Sequence, residues 1–378
     1  MSNNLNGLLP TLYAALDIVS REITGFIPAV TRDTGIERAA VGDDVKIPVT
    51  TVAEAQDTKP GVHAPDAGDG TVDNIVAKIT KSRNVPIRWN GEETRSLQNA
   101  GTFAAIQTDR FAQAMRTLVN EIERDCWLEA YKNASIAYGA AGQTPFSTAA
   151  DMTDFAGTLG ILENNGAPRN DLQLVLGHAA IGNLRGKQAG LFKVNEAGRD
   201  DMLRNGMTDR IMNFAIRHSH AVGVHAKGTG DGYLVNGSSS VGDKSIAVST
   251  GTGTILGGDI VTFAGDGTQY VSGGLAGSNL ILNHGLALVP ADKAAVSVGN
   301  NYVPNLAFSR SAIALATRTP ALPEGGDSAD DRTQIVDPVT GLAFEIAVYR
   351  QYKQVVYEVS LAWGVKAIAP RHIGLLLG

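Results

Sequence analysis

The stretch FAAIQTDRFAQAMRTLVNEIERDCWLEAYKNASIAY, residues 103–138, decides how the chain is read. Phe103, Ile106, Phe111, Met115, Leu118, Ile122, Cys126 and Tyr131 form one apolar stripe at helical spacing, and Asp109, Arg110, Arg116, Glu123, Arg124 and Glu129 are expected elsewhere, on the surface of the cylinder. No glycine or proline interrupts before Gly139, so a helix of about 50 Å is expected at the usual rise per residue. A helix that long overruns the core of a small globule and suits a spine shared across a larger assembly.

Outward from this helix the chain alternates between well-patterned and weakly self-supporting segments. Upstream, Leu9, Leu12, Tyr13, Leu16, Val19 and Ile23 recur at helical spacing until Gly25 and Pro28. DDVKIPV (43–49) and TVDNIVAKITKSRNVPIRW (71–89) then read as extended, flanking EAQDTKPGVHAPDAGDG (54–70), whose two prolines, three glycines and four carboxylates cannot build a core. A long hairpin with a polar tip follows, and such ribbons are marginal in water unless a neighbour supplies contacts.

Downstream, 155–168 reads as a helix closed by Asn165 and Gly166, 171–177 as a buried strand and 178–186 as another helix, with loops and a further helix to Asp209. Composition shifts at His225. Six short runs, YLVNG, KSIAVST, DIVTFAG, QYVSG, NLILNHG and KAAVSVG, are punctuated by Gly, Asn and Asp, as expected for a small antiparallel barrel or sandwich. SRSAIALAT (309–317) carries a brief helical pattern, and a polar loop spans 320–331. GLAFEIAVYRQYKQVVYEVSLAWGVKAIAP (341–370) alternates as a pair of strands from a central antiparallel sheet, followed by an apolar tail at 373–377.

Chemistry is not concentrated anywhere in the 378 residues. The net charge is −6, without the basic stripe that tight nucleic-acid binding requires. MSNNLNGLLP lacks a secretory pattern, and no stretch approaches a membrane span. His218, His220 and His225 cluster, but no carboxylate or thiolate accompanies them at ligand spacing, so they read as strand-edge histidines, with no metal or cofactor expected. STGTGTILGGD (249–259) has Ile255 and Leu256 where a phosphate loop needs its lysine and hydroxyl. Glu92 with Glu93 and Asp330 with Asp331 diverge as neighbours, and Cys126 reads as a small buried hydrophobe. No catalytic residue is expected.

Two segments carry a family resemblance: SIAVSTGTGTILGGDIVTFAG (245–265) and SLAWGVKAIAPRHIGLLLG (360–378). With the order of elements, they resemble the major capsid proteins of short-tailed Salmonella-type phages, the P22-like family, a variant of the HK97-like fold. The resemblance implies an α+β fold with an N-terminal arm (1–35), an extended loop with flanking strands (36–100), a spine helix in a peripheral domain (101–147), an axial domain (148–221), an inserted β-barrel (222–300) and a return through both sheets (301–378).

It further implies a non-enzymatic virion subunit assembled in the bacterial host cytoplasm. Hexamers and pentamers would build an icosahedral procapsid, with a scaffolding protein and a portal as partners, and the shell would expand on packaging double-stranded DNA held by weak non-specific contacts. The insertion departs from the family in having only SSSVGD at 238–243 where a long cross-capsomer loop is expected. Extended-loop charges such as Asp57, Lys59, Asp66 and Asp69 are then candidates for that work. The competing readings are an enzyme whose site assembles from distant residues, and a tail, decoration or adhesin β-protein.

Overall fold

The computed structural model describes residues 8–22, 25–50, 72–99, 101–187, 210–337 and 340–378. Helix α1 (Leu9–Glu22) leads into a buried turn at 25–30, strand β1 (Thr31–Ala39), the ribbon strands β2 (Asp44–Thr50) and β3 (Val72–Lys78), then β4 (Lys81–Asn90). Helices α2 (Gly91–Asn99) and α3 (Phe103–Lys132) precede β5 (Ile136–Tyr138), α4 (Thr153–Asn164), β6 (Leu172–Leu176), α5 (His178–Lys187) and β7 (Phe214–His218). Strands β8 (Tyr233–Val235), β9 (Ser245–Ser249), β10 (Gly257–Phe263), β11 (Gln269–Ala276), β12 (Asn279–Leu282) and β13 (Ala295–Val298) follow as a group. The chain finishes through β14 (Pro304–Ser309), β15 (Ile313–Pro320), β16 (Asp331–Val336), β17 (Ala343–Gln351), β18 (Gln354–Ala367) and β19 (Ile373–Leu377).

The stripe on α3 is buried as its spacing requires: Phe111, Met115, Leu118, Ile122 and Cys126 are all at or near zero exposure. The helix is 30 residues long, about 45 Å, and stops earlier than its pattern suggests. Asn133 caps it by donating from its side chain to the Glu129 carbonyl at 2.8 Å. The next residues then become β5, parallel to β19 on one side and antiparallel to β11 on the other. Pairing on both edges outweighs the local helical tendency of Ile136 to Tyr138.

One face of α3 lies against a six-stranded sheet ordered β1-β15-β18-β17-β16, with β4 on the other edge of β18. Phe111 meets Tyr357 edge-on at 5.5 Å between ring centres. Glu121, Asp125 and Glu129, one helical turn apart, form a polar seam with this sheet. Lys81 Nζ reaches Glu121 at 3.0 Å and Asp125 at 2.9 Å, Trp363 Nε1 donates to Asp125 at 2.8 Å, and the Ala367 amide donates to Glu129 at 3.2 Å.

The second sheet runs β7-β6-β14-β19-β5-β11 and continues from β11 into the inserted module. There the order β10-β13-β8-β9-β12-β11 closes through a direct β10–β11 pairing, so the six predicted strands form a closed antiparallel barrel. Its own core includes Val261, Phe263, Tyr270, Leu280 and Leu282, whereas Ile260 and Val271 belong to the main core. The barrel therefore shares a wall with the body.

Three expectations are corrected. Residues 309–317 are one 3-10 turn followed by β15, whose apolar run is buried on both faces between β1 and β18 and so shows no strand alternation. The supposed tail is β19, five buried residues between β14 and β5. Residues 71–89 hold two strands, of which β4 joins the large sheet and only β3 the ribbon. Strands β1, β7, β14 and β16 and helix α2 are additional, and the further helix expected before Asp209 lies outside the described residues.

Two fastenings set the geometry. Glu123 is not on the surface as its place among the helix charges suggests: it is 1% exposed in the middle of α3, where it accepts hydrogen bonds from the backbone N–H groups of Phe26 and Ile27, each at 2.8 Å, and from Ser219 Oγ at 2.8 Å. This ties the turn after α1 to α3, with Phe26 stacked on Phe308. At the ribbon's root, Ile79, Ala39, Ala316 and Ala362 form a small cluster under Val45, and the Thr80 amide donates to the Trp363 carbonyl at 3.0 Å. A β-carbon on Gly364 would sit 1.9 Å from the Lys78 carbonyl oxygen, so the ribbon crosses β18 where only glycine fits.

Two outcomes follow. Burial raises the Glu123 carboxyl above the ordinary glutamate range, against the opposing pull of the Ile27 and Phe26 amides. The folded state thus binds its proton more tightly than the unfolded chain. The associated stability is present at acid pH and lost as pH rises through the folded-state value. Melting across pH should show wild type losing stability relative to Glu123→Gln above the ordinary carboxylate range, and parallel curves would refute this. Gly364→Ala should lower the melting temperature by displacing backbone at the root; an unchanged melt would show that the crossing can open at no cost.

Candidate assembly surface

Beyond its root the ribbon is a sheet of its own, in register from Asp44 opposite Lys78 to Thr50 opposite Val72. One face carries Val45, Ile47, Ile75 and Ala77. Ile47 and Ile75 are only half-buried, unlike comparable residues in the main core. The exposed Lys78–Asp44 pair at 3.7 Å contributes little. The ribbon thus extends as an apolar-faced arm in search of a surface. Asp57, Lys59, Asp66 and Asp69 lie outside the described residues.

At the N-terminal end of α3 the β17–β18 hairpin turns over Tyr352 and Lys353. Tyr352 is 86% exposed, and Lys353 has a left-handed backbone with its ammonium 5.5 Å above the Tyr352 ring. Beside this knob lies a groove of about 870 Å³ lined by Trp89, Glu92, Arg95, Gln98, Arg350 and Val355. Trp89 is braced edge-on by Phe103 at 5.3 Å and capped by Arg110 at 5.2 Å. A projecting aromatic next to a concavity is a shape that can be matched between copies.

The barrel attaches at a buried polar hinge. Asp259, 1% exposed, receives His225 Nε2 at 2.8 Å, the Leu256 amide at 2.7 Å and the Gly228 amide at 3.1 Å. The rings of Tyr131 and Tyr302 flank His225 at 5.4 and 5.2 Å. Burial raises the pKa of both phenols; the Asp259 charge acts on both, and the neighbouring Tyr131 adds to the effect on Tyr302. Both phenols stay neutral, and the Tyr302 hydroxyl donates to the Gly258 carbonyl. A cleft of about 650 Å³ opens beside this hinge, lined by Arg124, Trp127, Lys132, Val224 and Leu256 among others.

The histidines expected to cluster do not share one place. His218 ends β7 and packs against His178 at 5.7 Å, a partner that sequence spacing does not suggest, and its pKa is lowered by burial and then by His178 and Arg185. His220 is exposed. His225 is no strand-edge residue: it is 6% exposed and paired with a carboxylate 34 positions away. Among the described residues no group of three His, Cys, Asp or Glu side chains could hold a metal.

The other candidates are structural. The glycine run packs backbone to backbone on residues 228–231; a β-carbon on Gly253 would lie 2.2 Å from the Thr229 carbonyl oxygen. Glu93 and Asn90 form a reciprocal cap on α2, the Glu93 amide donating to Asn90 Oδ1 at 2.7 Å and the Asn90 amide to Glu93 at 3.3 Å. Asp330 pairs with Arg350 at 2.9 Å, and Asp331 accepts the Arg332 amide. Cys126 is fully buried, and burial followed by the Glu123 charge holds its thiol well above the ordinary range. The 238–243 loop folds onto its neighbour, Gly242 donating to Leu286 at 2.8 Å, and leaves Val241 exposed. Among the described residues no helix is long and apolar enough to cross a membrane.

Comparison with known proteins adds the following. No family model matches this sequence, and no curated protein matches it. Among solved structures, a chain from Mycobacterium phage Che8 is 12% identical, with 89% of this chain and 84% of that chain covered and a TM-score of 0.47. A chain from the capsid of cyanophage P-SCSP1u is 11% identical, with 94% and 88% covered and a TM-score of 0.49. A chain from a virus-like particle of Pyrococcus furiosus is 10% identical, with 97% and 98% covered and a TM-score of 0.44. No residue of this chain takes its role from these matches.

Proposed function

We propose that this chain is a non-enzymatic shell subunit, a major capsid protein with an HK97-like fold of the P22-like branch. The observation that carries the reading is the β2–β3 ribbon. It leaves the body as a separate two-stranded sheet with half-buried Ile47 and Ile75 on one face, anchored where Gly364 admits the Lys78 carbonyl. An isolated ribbon is marginal in water, so an identical neighbour is the natural source of the missing contacts.

The remaining parts fit that role. Residues 1–35 act as the arm, 36–100 as the extended loop with its flanking strands, and 101–147 as the spine region. Residues 148–221 begin the axial part, 222–300 form the inserted barrel, and 301–378 complete both sheets. Many weak contacts repeated by symmetry allow errors to be corrected during assembly. Hexamers and pentamers would close into an icosahedral procapsid with scaffolding and portal partners in the bacterial host cytoplasm. The shell would expand on packaging double-stranded DNA to become the virion capsid.

Deleting residues 58–69 tests the reading. The variant should melt like wild type and fail to form closed particles under conditions where wild type forms them, as seen by negative-stain microscopy and sedimentation. Ordinary, stable particles from the deletion variant would refute the role assigned to the ribbon.

A further inference from the structure

The cleft of about 650 Å³ beside the barrel hinge gathers groups that the rest of the fold leaves unused. Arg124 and Lys132 bring two cations to it from α3. Both are exposed, and among the described residues neither side chain makes an ion pair or a hydrogen bond. Lone surface cations are common, but these two share a lining that holds no aspartate or glutamate. The apolar part comes from the connection into the barrel: Val224 is 67% exposed and Leu256 46% exposed, with Trp127 and Leu128 continuing the apolar lining along α3. Mixed sites of this kind, apolar with a few polar groups and set between structural units, are where ligands bind.

His225 adds a third element. Its Nε2 faces Asp259 Oδ1 at 2.8 Å, and Asp259 also accepts the Leu256 and Gly228 amides. This pattern places the proton of the neutral ring on Nε2 and leaves Nδ1 with a lone pair. Nδ1 has no hydrogen-bond partner among the described residues and is not sealed from solvent, and its ring lines the cleft. The cleft thus offers two cations, an apolar wall and one acceptor held in place from behind.

We propose that this cleft is a docking site for an extended acidic and apolar segment of a partner protein. Arg124 and Lys132 are eight residues apart on α3, about 12 Å along the axis, a span that an extended chain covers in about four residues. Carboxylates four positions apart on one face of that chain meet the two cations. The residues between them that point the other way meet Val224 and Leu256. An extended chain also has a free N–H for His225 Nδ1, which a helix keeps for itself beyond its first turn. Nucleic acid would supply the anions but no aliphatic side chains for the apolar wall. The occupied cleft ties α3 to the barrel and fixes the angle between them. The site stands on its own lining and not on the shell-subunit reading.

The test is fluorescence anisotropy with the full-length chain and a fluorescein-labelled, end-blocked peptide whose core is Glu-Leu-Ser-Leu-Glu. Arg124→Glu and Lys132→Glu should each weaken binding about tenfold, and the double variant should prefer a peptide with lysines in place of the glutamates. Val224→Ser should weaken binding about fivefold through lost apolar contact. N-methylation of the central peptide residue should cost about as much, since it removes the N–H offered to His225 without touching a buried side chain. Arg95→Glu, on α2, should bind as wild type does. Arg124, Lys132 and Val224 are exposed, so these substitutions leave the core intact, which melting curves check.

Equal affinity of wild type for the glutamate peptide and its glutamine counterpart, or an unchanged preference in the double variant, would overturn the proposal. So would either of two other occupants. A labelled random-sequence duplex that binds through Arg124 and Lys132, and that the peptide does not displace, would assign the cleft to nucleic acid. A peptide of residues 188–209 that takes the same place more tightly would assign it to this chain itself.

Discussion

A helix of 30 residues with one continuous apolar stripe cannot be covered by a single sheet of ordinary strands, and the architecture follows from covering it. The large sheet takes one side through Tyr357, Trp363 and the Lys81 seam. Residues 25–30 and Phe308 take another, drawn in by Glu123. At the C-terminal end, Trp127 and Tyr131 carry the helix to the barrel hinge, and the chain turns at once into β5. Two sheets and an inserted barrel are thus organised around one element.

Polar groups do the joining and apolar groups the filling. Glu123 and Asp259 are each about 1% exposed, and each is surrounded mainly by backbone N–H donors that would otherwise be orphaned. Such groups fix where one segment meets another, because a displaced partner leaves a buried carboxylate unsatisfied. They occur at two junctions, the turn after α1 to α3 and the barrel to the body, where shape complementarity alone would allow sliding.

How much of this was legible in the sequence depended on whether the signal was local. The α3 stripe, the Asn165–Gly166 stop and the six short runs of the barrel were readable because periodicity and turn residues act over a few positions. The end of α3 was not, since Ile136 to Tyr138 become a strand only through β19 and β11, more than a hundred positions away. The helical pattern at 309–317 and the apolar tail at 373–377 hide strands for a related reason: strands buried on both faces lose the alternation that marks a strand. The surface chemistry was least visible. His225 and Asp259, Glu123 and the Phe26 amide, and Arg210 and Arg310 on Asp171 come from separate segments, so spacing along the chain could not reveal them.

The β10–β11 closure has a consequence for how the protein tolerates crowding. A barrel that pairs its first and last strands offers no open row of amides and carbonyls to a stranger. The module richest in short, glycine-flanked strands is therefore also the one least able to exchange strands with another molecule. Within this module, association is left to side chains whose complementarity can be tuned, because strand pairing is already satisfied internally.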